Sequence, residues 1–307
     1  MKELWVEAYR PKTASEYVFM DDNQRDQVMS WIKDQSIPHL LFSGGPGTGK
    51  TTLARMLINE LGVDQYDIMQ INASNETKVE TMRDKVLGFA STMPFGEFKV
   101  ILLDEADYLS QNSQALLRNA METYHASVRF IFTCNAPHKI IPAIHSRTQS
   151  FHIDRTDLTE FTARVATILV TESVEFELDT LDTYVTATYP DLRKCLNLVQ
   201  LNSQSGQLRL GASGASGTKD WRLDCVSLFK NKKLREARKL LCSQARPEEM
   251  EEVFRWMYDN LHLWSTTEQG QDDAILIIRR GLVNHVSCAD SEINLSATVV
   301  ELCQIGN

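Results

Sequence analysis

Residues 44 to 51 read Gly-Gly-Pro-Gly-Thr-Gly-Lys-Thr, a full match to G-x-x-x-x-G-K-[ST]. The setting of the match constrains the fold. An apolar run, Leu40-Leu41-Phe42, precedes it, and a helical pattern, Leu53, Ala54 and Leu57, follows. A buried strand, a glycine-rich turn and a helix with its positive N-terminus at the turn together form an anion cradle. In that frame Gly44, Gly45, Pro46, Gly47, Thr48, Gly49, Lys50, Thr51 and Thr52 surround a phosphate chain. Lys50 reaches the β- and γ-phosphates, and the Thr51 hydroxyl is placed for Mg²⁺. The expectation is a bound nucleoside triphosphate.

Four more short apolar runs share the loop's half of the chain. Strands are predicted at 39–42, 67–71, 99–103, 128–133 and 149–153, alternating with helical patterns. Val100-Ile101-Leu102-Leu103 and Phe130-Ile131-Phe132 are apolar at consecutive positions, which suits parallel strands covered on both faces. An α/β nucleotide-binding domain is therefore expected over 1–155. Phe161, Val165, Ile168 and Leu169 change to helical spacing, predicting a small all-α module over 156–203. The glycine- and serine-rich stretch 204–220 reads as a flexible linker. Residues 221–307 are helical again. Leu234, Ala237, Leu240 and Leu241 mark one helix, Val253, Trp256, Met257, Leu261 and Trp264 a second, and Ile275, Ile278, Leu282 and Val286 a third. The basic run Lys230, Lys232, Lys233, Arg235, Arg238 and Lys239 fits a nucleic-acid patch, but a solvated face opposite the apolar stripe is the favoured reading.

With 307 residues, 43% hydrophobic and 24% charged, the composition is that of a multi-domain globular protein. No apolar stretch approaches the ~20 residues of a membrane span, and residues 1–5 lack a signal-peptide layout. A cytoplasmic location follows as the expectation. The six cysteines are scattered without a C-x-x-C pair, so they read as reduced packing residues. A net charge of −9 disfavours nonspecific wrapping of nucleic acid but permits a local basic surface.

Val100-Ile101-Leu102-Leu103 ends in Asp104-Glu105. Asp104 at the strand end can hold Mg²⁺ beside Thr51, and Glu105 can orient or deprotonate an attacking water. Phe130-Ile131-Phe132-Thr133 delivers Cys134 and Asn135 to the same sheet edge. The Asn135 amide both donates and accepts, which suits it to hold that water. A turn-forming role explains a lone asparagine equally well.

These residues, together with Glu7-Ala8-Tyr9-Arg10-Pro11, Pro38-His39, Asn72-Ala73-Ser74, Asp104-Glu105-Ala106-Asp107, Gln114-Ala115-Leu116-Leu117-Arg118, Met121-Glu122, Ser146-Arg147 and Asp191-Leu192-Arg193-Lys194, form an ordered series. It resembles the AAA+ ATPase subunits of sliding-clamp loaders, of the replication factor C small-subunit type and its phage counterparts. The resemblance covers about residues 5 to 200. It implies that Tyr9, Arg10, Pro11 and Val18 line an adenine pocket, that Asp104 and Thr51 hold the metal, and that Glu105 serves the water. Asn135 matches the γ-phosphate sensor and Arg193 the lid arginine. Arg147 matches the finger that serves a neighbouring subunit's ATP. Ser146-Arg147-Thr148, Gly44-Gly45-Pro46-Gly47, Val18-Phe19-Met20 and Asn119 depart from the family pattern without removing a catalytic group. They look more like a phage or other divergent loader than a cellular one, with a host cytoplasm as its location if it is phage-encoded.

The implied protein is an ATP- and Mg²⁺-dependent loader subunit. It works in a pentameric hetero-oligomeric ring containing several copies of this chain, opening a sliding clamp and placing it on primer–template DNA. Residues 221–307 would form the oligomerising collar. Lys78, Arg83 and Lys85 are candidates for DNA phosphates, and Phe89, Met93 and Phe95 for the clamp. Met82 lies between Lys78 and Lys85 on one helical face, so a solvated face is an equal reading. Two alternatives remain open: an AAA+ protein-remodelling ATPase, and a DNA helicase-type motor suggested by the literal Asp104-Glu105-Ala106-Asp107.

Overall fold

Successive strand residues point to opposite faces, so an apolar run buries itself only when both faces are covered. That is the arrangement in the computed structural model, which describes residues 3–75, 79–210, 221–231, 233–246 and 249–305. In chain order the first elements are α1 (Trp5–Ala8), α2 (Asp22–Lys33), β1 (Leu40–Ser43), α3 (Lys50–Glu60), β2 (Ile68–Asn72) and α4 (Val79–Ala90). They are followed by β3 (Lys99–Asp104), α5 (Gln111–Thr123), β4 (Val128–Cys134), α6 (Pro142–His145) and β5 (Gln149–His152). All five strands fall within one residue of their predicted bounds. They form one parallel sheet in the order β2-β3-β4-β1-β5.

The alternation is visible in the core. Leu41, Ile101, Leu103, Phe130 and Phe132 turn to one face, where Met82, Val86, Leu117 and Met121 from α4 and α5 cover them. Leu40, Phe42, Val100, Leu102 and Ile131 turn to the other, beneath Val28, Leu53 and Leu57 from α2 and α3. Each such side chain, removed from water, contributes about 1.5–3 kcal/mol. Side-chain caps start the covering helices: Asp21 accepts the Gln24 N–H at 2.7 Å and Ser110 the Ser113 N–H at 3.2 Å. The register places Ser43 beside Cys134 and His152, and Asn72 beside Asp104. The carboxyl ends of the strands thus share one edge.

The remaining helices are α7 (Leu158–Thr171), α8 (Leu178–Thr188), α9 (Leu192–Asn202), α10 (Trp221–Lys230), α11 (Leu234–Gln244), α12 (Met250–Asp259), α13 (Glu268–His285) and α14 (Ser291–Ile305). Packing divides the chain into two compact units, Met1–Ile168 with Pro190–Asn197, and Leu169–Tyr189 with Leu198–Asn307. Two of the three dividing points fall inside α7 and α9, and the third lies between α8 and α9. Residues 211–220 of the expected linker, Lys232, and the side chain of Leu234 lie outside the described residues.

Two helical readings in the second unit need correction. Leu261 and Trp264 do not continue the helix of Val253 and Trp256, because α12 ends at Asp259. Asn260 is buried there, and its Nδ2 donates to the Trp256 carbonyl at 2.9 Å, closing the last turn. Leu261–Leu263 form a separate 3₁₀ turn. On α13 the buried residues include Ala274, Ile278 and Gly281, whereas Leu282 and, just past the helix end, Val286 are exposed. Gly281 decides this. A Cβ there would lie 2.4 Å from Thr298 Oγ1 and 2.7 Å from Phe254, so its bare backbone lets α14 and α12 pack close.

Candidate nucleotide site

The loop after β1 is held in the shape the motif predicts. Gly44 has φ +145°, and a Cβ on it would sit 2.0 Å from the Ile153 carbonyl oxygen, so only glycine fits against the chain leaving β5. Gly49, in the left-handed region at φ 93°, precedes the first residue of α3, which is Lys50 itself. Lys50 is 8% exposed, and its Nζ donates to the carbonyls of Gly44 at 3.0 Å and Gly45 at 2.5 Å. Burial pushes its pKa down. Cys134, Asp104 and Asp107 oppose that shift, and the charge of Arg193 adds to it. A cation whose hydrogen bonds, among the described residues, go to backbone carbonyls suits exchange of those contacts for phosphate oxygens.

Thr51 and Asp104 meet at this edge. The Thr51 Oγ1 donates to Asp104 Oδ1 at 2.7 Å, and the Thr133 hydroxyl donates to the same oxygen. A hydroxyl and a carboxylate in contact are hard oxygen donors, and Mg²⁺ is commonly held by one or two carboxylates plus substrate phosphates. Among the described residues no group of three His, Cys, Asp or Glu is placed to hold a metal alone. The residues therefore fit Mg²⁺ that arrives with a polyphosphate.

Glu105 follows in the left-handed region, φ 56° and ψ 42°, with its N–H on Thr133 Oγ1 at 3.2 Å. A non-glycine residue there costs of order 1–3 kcal/mol, and such strain clusters at functional sites. The side chain is half-buried at the strand end. Asn135 is exposed at the end of β4, its N–H donating to Asp107 Oδ1 at 3.3 Å. The literal Asp-Glu-Ala-Asp is thus spent partly on structure, since Asp107 ties the β3 turn to the β4 turn. Cys134 is buried, and burial first, then Asp107, pushes its thiol up to about 11 against the opposing pull of Lys50. It stays protonated and serves packing, as expected.

A cleft opens beside the loop. Tyr9, Arg10, Pro11 and Val18 line it together with Gly47, Thr48, Gly49 and Thr52. Arg193 also lines it, from the first turn of α9, which Asp191 caps by accepting the Lys194 N–H at 2.9 Å. Sequence reasoning missed three participants. Thr133 stood out only as a hydroxyl in an aromatic run. Tyr17 lines the cleft with its hydroxyl buried and, among the described residues, unpartnered, and burial pushes its phenol pKa up. Arg164 reaches the cleft from α7.

Arg147 is elsewhere. It precedes β5 by two residues, and Gln149, the first β5 residue, pairs with Leu40 at the start of β1. It therefore lies at the amino-terminal edge of the sheet, roughly 16 Å from the loop at about 3.3 Å per strand residue. There it lines a separate cavity with His39, His125 and Arg129, and it forms an ion pair with Glu122.

Of the DNA candidates, Lys78 lies outside the described residues, while Arg83 and Lys85 are exposed on α4. Met82 is fully buried, so the stripe through it faces the core. Of the clamp candidates, Met93 and Phe95 are 89% and 79% exposed, whereas Phe89 packs partly against the core. The segment bearing them is fastened from below. Buried Asp67 Oδ2 accepts the N–H groups of Phe95 at 2.7 Å and Gly96 at 2.8 Å, and Lys99 Nζ donates to the Phe89 carbonyl at 3.0 Å.

Comparison with known proteins agrees with this geometry. Residues 40–155 match the model of the ATPase family associated with various cellular activities (AAA). The replication factor C small subunit of Sulfurisphaera tokodaii is 41% identical over 216 residues, covering 68% of this chain and 65% of that protein. That of Saccharolobus solfataricus is 40% identical, covering 68% and 64%. This chain therefore spans just under two thirds of the length of these relatives. Among solved structures, Thermotoga maritima RuvB, a Holliday junction branch migration motor, superposes with a TM-score of 0.56 over 66% of this chain and 69% of its own. At 18% identity that likeness shows a shared fold. Over the stretch shared with these relatives, the chain is an AAA-family protein of the replication factor C small-subunit type.

Proposed function

We propose that this chain is an ATPase subunit of a DNA sliding-clamp loader, with a catalytic site completed only between neighbouring subunits. The observation that carries the reading is the separation of Lys50, Thr51, Asp104 and Glu105 at one sheet edge from Arg147 at the other. ATP occupies the cleft. Its base lies against Tyr9, Arg10, Pro11 and Val18, and its phosphates lie on Gly44 to Thr52. Thr51 and Asp104 hold Mg²⁺, which when bound neutralises charge on the phosphate oxygens. Glu105 takes the proton of the attacking water, Asn135 orients that water, and Arg193 contacts the γ-phosphate from the lid helices within 156–203. Arg147 of an adjacent copy supplies transition-state charge, a contribution of roughly 10³–10⁵ in rate.

The partners we infer are those that the resemblance to clamp-loader subunits implies. A hetero-oligomeric, pentameric ring joined through 221–307 would bring each Arg147 to the next cleft. ATP would bias the ring toward a closed spiral that holds an open clamp through Met93 and Phe95. Primer–template DNA, contacted by Arg83 and Lys85, would complete the sites, and hydrolysis would release the closed clamp. The test is steady-state ATP turnover with and without primed DNA and a cognate clamp. Stimulation by both supports the reading. Stimulation by unfolded polypeptide alone would replace it with a protein-remodelling ATPase, and stimulation by duplex junctions without any clamp effect would favour a DNA motor.

A further inference from the structure

The nucleotide cleft carries a cation that its motifs do not explain. Arg164 sits half-buried on α7 and lines the cleft with Gly47, Thr48, Gly49 and Arg193. Its Nη2 donates to the Tyr9 carbonyl at 2.9 Å, a bond that reaches across 155 residues of sequence. Among the described residues that is its one hydrogen bond, and no carboxylate pairs with it. A guanidinium has five N–H donors, so four remain.

The natural counter-ion would be Glu160, one turn earlier on the same helix, because side chains four apart face each other. Glu160 is already paired with Arg25, and Glu7, near Tyr9, is paired with Arg10 at 2.7 Å. Glu16 and Glu60, which share a second cavity with Arg164, accept the backbone N–H groups of Lys12 and Ala14 at 2.9 and 2.8 Å, so none of these four acids forms an ion pair with it. A half-buried charge without a partner is costly, and here it faces a cleft suited to a polyanion.

We propose that Arg164 is a nucleotide-binding residue whose charge holds the α- and β-phosphates, while its bond to Tyr9 ties occupancy of the cleft to the N-terminal segment. This rests on the reading that the cleft holds a nucleoside triphosphate. The two cationic positions divide the ligand between them. Arg164 is anchored at Tyr9, beside Val6, Pro11 and Val18 at the nucleoside end, whereas Arg193 is close enough for its charge to act on Lys50. Arg164 therefore holds what ADP and ATP share, and Arg193 distinguishes them.

The test is displacement of a fluorescent ADP analogue from the full chain by ADP and by ATP. Arg164→Gln keeps an amide donor for the Tyr9 carbonyl and removes the charge; Arg164→Lys keeps the charge. Arg164→Gln should weaken ADP and ATP equally, by about tenfold, as expected for a lost charge-assisted hydrogen bond. Arg164→Lys should stay within about threefold of the parent, and Arg193→Ala should weaken ATP more than ADP. Parent affinity in Arg164→Gln would overturn the proposal. So would equal losses in both Arg164 variants accompanied by a lower melting temperature without ligand, because that pattern marks a wall residue. Lys50→Ala binding both nucleotides at parent affinity would instead remove the cleft reading itself.

Discussion

The two ends of the central sheet carry the two halves of the proposed chemistry and are built in opposite ways. At the carboxyl edge Lys50 is 8% exposed, Asp104 accepts two hydroxyls, and the Glu105 backbone is locked in a strained conformation. At the amino edge Arg147 lies at the surface, and its carboxylate contact is one ion pair with a half-exposed Glu122. Buried networks of satisfied polar groups are rigid. Exposed ion pairs are worth about 0–1 kcal/mol, so Glu122 can give up Arg147 to a phosphate at little cost. The difference teaches that one half is prepared in advance and the other is kept deployable.

The largest expected effect breaks the prepared half alone. Glu105→Gln should retain nucleotide affinity and assembly while turnover falls by roughly 10²–10⁴, the usual worth of a positioned general base. Single-turnover hydrolysis alongside equilibrium binding checks it, and parent turnover would remove Glu105 from the chemistry.

A smaller effect sharpens the comparison from the amino edge. His39 Nδ1 accepts the Phe130 N–H at 3.1 Å, which requires a neutral ring. Burial first, then Arg129 and His125, lowers its pKa to about 4. The unfolded ring, near 6.5, binds more protons in that window, so protonation favours unfolding and stability should fall between about pH 6.5 and 4. His39→Gln should flatten that decline in urea unfolding at pH 7 and pH 5. An identical decline in both proteins would mean that His39 does not govern it.

What the sequence revealed divides along physical lines. The loop, the strands and Asp104 were legible because each depends on neighbours in sequence, whether glycine spacing, an apolar run or a residue at a strand end. Thr133, Asp107 and Arg164 were not, because their partners Asp104, Asn135 and Tyr9 lie 29, 28 and 155 residues away. The face of α13 was misread for the same reason. Its apolar residues offer more than one stripe, and the choice is made by Gly281 against Thr298 and Phe254. Lys78 and Lys85 matched a helical face, but the buried Met82 on that stripe belongs to the core.

The claim that one chain holds only half a working site is tested most directly by mixing two inactive variants. Lys50→Ala subunits lack a competent cleft but carry Arg147; Arg147→Ala subunits have the reverse defect. Each assembled with its loader partners should hydrolyse ATP at a small fraction of the parent rate, whereas their mixture should recover activity at interfaces that pair an intact cleft with an intact arginine. No recovery in mixed assemblies, with both variants confirmed in the same particle by sedimentation, would contradict the shared site.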